Sequence, residues 1–114
     1  GAKPKNMCSP EAWKEGAIIT SPGFPASASE SCEYVLEVEP GKNVETKIIM
    51  LESNSCCDNF IIGNDFDYLD NLAGEERNLT YTMTSSNMMK VSWLPRGGVN
   101  VRGFMMTFRG VSAP

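Results

Sequence analysis

The chain has 114 residues, 41% of them apolar and 21% charged, with a formal net charge of -4. That mixture belongs to one folded domain with a single core rather than to a disordered chain. The acidic balance excludes the field of Lys and Arg that a phosphate backbone demands, so nucleic acid is not an expected partner.

In chain order, residues 1–15 carry Lys3, Pro4, Lys5, Pro10, Glu11, Lys14 and Glu15 with little apolar content. They read as an arm tied down by Cys8, with Gly1-Ala2 as a cloning remnant. Ala17-Ile18-Ile19-Thr20 is a short strand. Ser21-Pro22-Gly23-Phe24-Pro25 stops it, because proline removes a ladder donor and glycine opens turn conformations. Ala26 to Ser31 is a loop of small residues. Cys32 to Glu39 then alternates, with Tyr34, Leu36 and Val38 on a buried face and Glu33, Glu37 and Glu39 on a wet one.

Pro40-Gly41-Lys42-Asn43 turns the chain into a second long strand, Val44 to Leu51, rich in β-branched residues. Phe60-Ile61-Ile62 is a short buried strand. Gly63 to Arg77 is polar and acidic and reads as loop with at most one short strand, with Phe66, Tyr68, Leu69 and Leu72 as candidate anchors; Phe66 and Tyr68 are either core anchors or a binding edge, and the core is the favoured reading. Leu79 to Thr84, Met88 to Leu94 and Phe104 to Arg109 close the chain as alternating strands, with a turn at Pro95-Arg96-Gly97-Gly98. No stretch has a convincing helical period. About seven or eight short strands at roughly ten-residue spacing predict an all-β fold, a single antiparallel sandwich over residues 1–114.

The chemistry-bearing residues are few. Four cysteines occur with no histidine and no Cys-x-x-Cys spacing, a pattern that favours disulfides over zinc. Without histidine the usual general base is missing, and the scattered carboxylates suggest no cleft, so no enzyme is expected. The triplet Asn78-Leu79-Thr80 is an N-glycosylation acceptor, and with the cysteines it points to a secreted or extracellular setting. No apolar run approaches the roughly 20 residues that span a bilayer, so no membrane insertion is expected.

The densest stretch is Glu52 to Ile62, where Cys56, Cys57 and the carboxylates of Glu52 and Asp58 lie between two strands. The acidic run Asn64 to Asn71 fails the EF-hand spacing and reads as a solvated loop. Arg96, Arg102 and Arg109 with Lys90 would attract a sulfated sugar or an acidic protein if they clustered, but strand alternation is expected to scatter them over both sheets. Met88-Met89 and Met105-Met106 each send one side chain inward and one outward, and the outward members could form an adaptable apolar surface for a partner.

Taken in order, several fragments resemble a CUB domain. They are Gly16 to Pro25 with its Ser-Pro-Gly-Phe-Pro turn, Cys32 to Val38, the segment ending in Asp58-Asn59-Phe60-Ile61-Ile62, Ser85 to Trp93, and Arg102-Gly103-Phe104. The likeness covers almost the whole chain, and Ser55-Cys56-Cys57-Asp58 with Val101 to Gly110 is most similar to a divergent invertebrate branch that accompanies C-type lectin domains, among others. The resemblance implies a jelly-roll of two antiparallel sheets, used as a non-catalytic recognition module for protein or carbohydrate ligands in larger secreted proteins. A structural spacer in such a protein is the alternative.

The resemblance also implies that Cys8 pairs with Cys32, a closure contributing roughly 3 to 4 kcal/mol on the chain-entropy model. The later partner of the family's second pair falls on Ala73 here, which leaves Cys56 to its neighbour Cys57 in a vicinal disulfide. That bond would be either a local staple or a rigid knuckle shaping a ligand-contacting loop. Glu52 and Asp58 match two carboxylates of the family's calcium site, but the third aligns with Leu94-Pro95-Arg96, where no acid exists. Two carboxylates fall short of the six to eight oxygens Ca²⁺ takes, so a degenerate site and no cofactor are expected. Either Arg96 meets Glu52 and Asp58 as a fixed ion pair, or all three are solvated charges on loop ends.

Overall fold

Period-two alternation organises the molecule, and it can be followed in a computed structural model that describes residues 15–16, 18–21, 31–64, 67–95 and 101–112. In chain order the strands are β1 (Ile18–Thr20), β2 (Cys32–Glu37), β3 (Lys42–Glu52), β4 (Asn59–Gly63), β5 (Tyr68–Leu72), β6 (Glu75–Met83), β7 (Met88–Leu94) and β8 (Gly103–Ser112). They form two four-stranded sheets of order β1-β8-β3-β6 and β2-β7-β4-β5. Every pairing is antiparallel, and no helix occurs among the described residues. This is the expected two-sheet sandwich.

The core lies where the inward residues of both sheets meet. Tyr34 and Leu36 of β2, Met89, Val91 and Trp93 of β7, and Phe60 and Ile62 of β4 face Val44, Ile48 and Leu51 of β3 and Phe104, Met106 and Phe108 of β8, all buried. Burial of each such side chain contributes about 1.5 to 3 kcal/mol. Phe104 packs at 4.8 Å from Phe60 and 5.6 Å from Trp93, centroid to centroid, and meets Tyr34 edge-on at 5.5 Å. Polar links also cross between the sheets. Tyr34 Oη donates to the Thr20 carbonyl at 3.1 Å, and the buried Thr46 hydroxyl donates to Met89 Sδ at 3.1 Å. The methionine pairs split as expected, with Met89 and Met106 buried and Met88 and Met105 half-buried on the outer faces.

Two expectations are corrected. Glu75 to Arg77 are strand rather than loop: they extend β6 along β3 through the pairs Glu52↔Glu75, Leu51↔Glu76 and Met50↔Arg77. Their polarity suits β6 because it is an edge strand, where charged side chains discourage pairing with another chain. Tyr68 is not in the core: it is 68% exposed, while Leu69 and Leu72 of the same strand pack against the interior. The β4–β5 register shifts at Gly63, and that shift turns Tyr68 outward. Phe66 lies outside the described residues.

Candidate functional site

At one end of the sandwich two of the chain's passages between the sheets lie side by side, one between β3 and β4 and one between β5 and β6. The two crossovers are fastened to each other by backbone and hydroxyl. Ser53 N–H donates to the Gly74 carbonyl at 2.9 Å, and Gly74 N–H donates to Ser53 Oγ at 2.9 Å. Gly74 takes φ +86°, a conformation in which L side chains are strained.

Within the first crossover, Asn54 and Asp58 close a short loop. The Asn54 N–H and Nδ2 both donate to Asp58 Oδ2, at 2.8 and 3.2 Å, while the Asn54 carbonyl accepts from the N–H groups of Cys57 and Asp58 at 3.2 and 3.0 Å. Asp58 is 3% exposed, so its carboxylate serves the loop from inside. Cys56 and Cys57 stand exposed at the tip and are disulfide-bonded to each other, with Cα atoms 3.7 Å apart. The vicinal disulfide is therefore present. Buried Phe60, two residues after Asp58, and Phe104, which follows Gly103 opposite Glu52, place the aromatic core beneath this end.

Glu52, at the close of β3, is engaged by an arginine. Arg102 N–H donates to Oε1 at 2.9 Å, and its guanidinium reaches Oε1 through Nε at 3.5 Å and Oε2 through Nη2 at 3.3 Å. The backbone hydrogen bond from Arg102, then its guanidinium, holds the Glu52 carboxyl below the usual carboxylate range. Arg96 lies outside the described residues, so the expected meeting of Glu52, Asp58 and Arg96 is not described.

Glu52 is thus paired with an arginine that the sequence reading did not assign to it. The pairing of the closing strand with the second long strand sets Glu52 opposite Gly103 and next to Arg102, a register that no local sequence pattern carries. Ser53 and Gly74 were also passed over, because a hydroxyl clamp between backbones has no side-chain motif.

Calcium fits this arrangement poorly. Both Glu52 oxygens already accept from Arg102, Asp58 Oδ2 accepts two bonds from Asn54, and no group of three or more acidic, Cys or His side chains able to hold a metal occurs among the described residues. Of the other expected site residues, Cys32 is disulfide-bonded, its expected partner Cys8 lying outside the described residues. Asn78 is exposed on β6 with φ +57°, which asparagine tolerates better than most residues. Arg109 pairs with Glu45 across β8 and β3 at 2.7 Å, while Lys90 stands on the other sheet, so these cations form no common patch.

Comparison with known proteins gives these features a family. A profile described as CUB domain matches residues 8–108. The chain belongs to the CUB domain family. CUB domains are extracellular, non-enzymatic interaction modules that occur within larger proteins. The CUB domain of this chain is 30% identical over 101 residues to Protein SpAN of Strongylocentrotus purpuratus, matching 82% of this chain but spanning only 16% of that protein.

Among solved structures it resembles the CUB1-EGF-CUB2 domain of human MASP-1/3, with TM-score 0.78 and 22% identity over 91% of this chain and 43% of that one. It also resembles the MASP-1 CUB2 domain bound to Ca²⁺, with TM-score 0.76 and 20% identity over 90% of this chain and 99% of that one. At these identities the structural likeness establishes the CUB fold.

Proposed function

We propose that this CUB domain is a non-catalytic recognition module of a secreted, multidomain protein, and that it grips a protein or glycan ligand through the crossover end around Glu52 to Asp58. The observation that carries the reading is the construction of that loop. Its tip, Ser55-Cys56-Cys57, is exposed, while its base is fixed by the Asn54–Asp58 bonds and the Ser53–Gly74 clamp. A loop held in one shape before binding loses little conformational entropy on binding. A spacer would have no use for such a fixed and exposed tip.

We further infer that recognition here needs no calcium, although the MASP-1 CUB2 relative was solved with it. Arg102 supplies the positive charge at Glu52, and a guanidinium fork suits a carboxylate. Calorimetric titration with Ca²⁺ should give no heat of binding, and clear micromolar to millimolar binding would defeat this inference. The recognition reading is tested by Ser55→Arg, which adds bulk at the exposed tip. The variant should keep its melting temperature and lose the ligands found in a panel of extracellular proteins, whereas a spacer would lose nothing.

A further inference from the structure

The outer face of the β2-β7-β4-β5 sheet holds a second arrangement, built from residues the crossover loop does not use. The strand registers set two rows across it, Glu33–Ser92–Ile61–Asn71 and Val35–Lys90–Gly63–Tyr68. Between them lies a concavity of about 150 Å³ lined by Glu33, Ile61, Asp67, Tyr68, Lys90 and Ser92. Its most unusual member is Tyr68. Phe60, Phe104, Phe108, Tyr34 and Trp93 are all buried, yet Tyr68 is 68% exposed.

The position of that ring is enforced by the chain. The Asn64 N–H donates to the Asp67 carbonyl at 2.7 Å, and the Asp67 N–H donates to Asn64 Oδ1 at 2.8 Å, so the turn is closed from both sides. A Cβ on Gly63 would collide with the Asp67 carbonyl oxygen and lie 3.1 Å from Tyr68 Cα. Only glycine lets the hairpin fold down so that Asp67 and Tyr68 wall the concavity.

The lining is amphipathic on a small scale. Tyr68 and Ile61 offer apolar surface, while Glu33 and Asp67 offer carboxylates, Lys90 an ammonium, and Ser92 a hydroxyl that reaches Glu33 Oε2 at 3.4 Å. A pyranose matches each part, since its C–H face stacks on an aromatic ring and its hydroxyls both donate to carboxylates and accept from ammonium and hydroxyl groups. Among the described residues, two carboxylates against one ammonium disfavour an anionic sugar. Strand addition by an extended peptide would not use this concavity, because it lies on the face of the sheet over β7 and β4 rather than along an open edge.

We propose that this face binds a neutral hexose or N-acetylhexosamine unit of a glycan, at a site separate from the crossover end. The test is binding of the folded domain to an array of neutral, sialylated and sulfated oligosaccharides, followed by titration with the methyl glycoside of the best neutral ligand. Tyr68→Ala should weaken that binding about tenfold or more without changing the melting temperature, and Tyr68→Trp should retain it. Ser55→Arg should leave it unchanged, which separates this site from the crossover loop. The proposal is overturned if only charged glycans or none bind, if Tyr68→Ala binds as well as the parent, or if Ser55→Arg abolishes the binding instead.

Discussion

The loops at the two ends of β4 are shaped by opposite means. Before β4, the crossover at Ser53 to Asp58 is held by added bonds: a buried carboxylate, a hydroxyl clamp to Gly74 and a disulfide between neighbours. After β4, the close approach of Asp67 and Tyr68 to Gly63 depends on a missing side chain, and two hydrogen bonds join Asn64 to Asp67. The first device exposes a sulfur-capped tip, and the second exposes an aromatic ring. Fixing a loop by bonds makes it sensitive to losing a partner, whereas fixing it by a gap makes it sensitive to gaining an atom.

The largest effect is expected from Asp58→Ala, which removes a buried acceptor and strands both donors of Asn54. Loss of these charge-assisted bonds should cost about 2 to 3 kcal/mol, a fall in melting temperature on the order of 10 °C. Gly63→Ala should follow closely, at about 2 kcal/mol, because the atoms in its way are backbone and cannot swing aside. Thermal melts of the two variants check both. If Gly63→Ala melts with the parent, the hairpin is not shaped by that gap, and the sugar site loses its frame.

Replacing both Cys56 and Cys57 by serine should change stability by less than about 1 kcal/mol, because the bond closes a loop between adjacent residues and removes little chain entropy. The melt should therefore barely move. A large loss would mean that the disulfide, rather than the polar bonds beneath it, holds the crossover.

The sandwich was legible because eight strands mostly keep one face apolar, and Tyr34-x-Leu36-x-Val38 or Met89-x-Val91-x-Trp93 can bury that face in only one way. The vicinal disulfide followed from the family resemblance, in which the later cysteine of the second pair falls on Ala73 here. Tyr68 was misplaced for a physical reason: the shift at Gly63 turns it outward, and a glycine that must meet a carbonyl leaves no trace in a hydrophobic pattern. The partner of Glu52 was missed in the same way. Cross-strand neighbours are set by register, and register is fixed by the whole sheet rather than by the segment that carries the charge.

The smallest effect concerns that same ion pair. Arg102 lowers the folded-state pKa of Glu52, so the pairing contributes stability above the unfolded carboxyl range, about pH 4.3, and loses it as pH falls through the folded value. The side chains are 50% and 25% exposed, so screening by water and salt keeps the contribution below about 1 kcal/mol. Glu52→Gln should therefore be slightly less stable than the parent at neutral pH, and the two should converge as the pH drops below about 4. Denaturant melts from pH 3 to pH 7 would follow the convergence, about four pH units in all. If the difference instead stayed constant across that range, Glu52 would be acting through packing, and its charge would be free for a ligand at the crossover end.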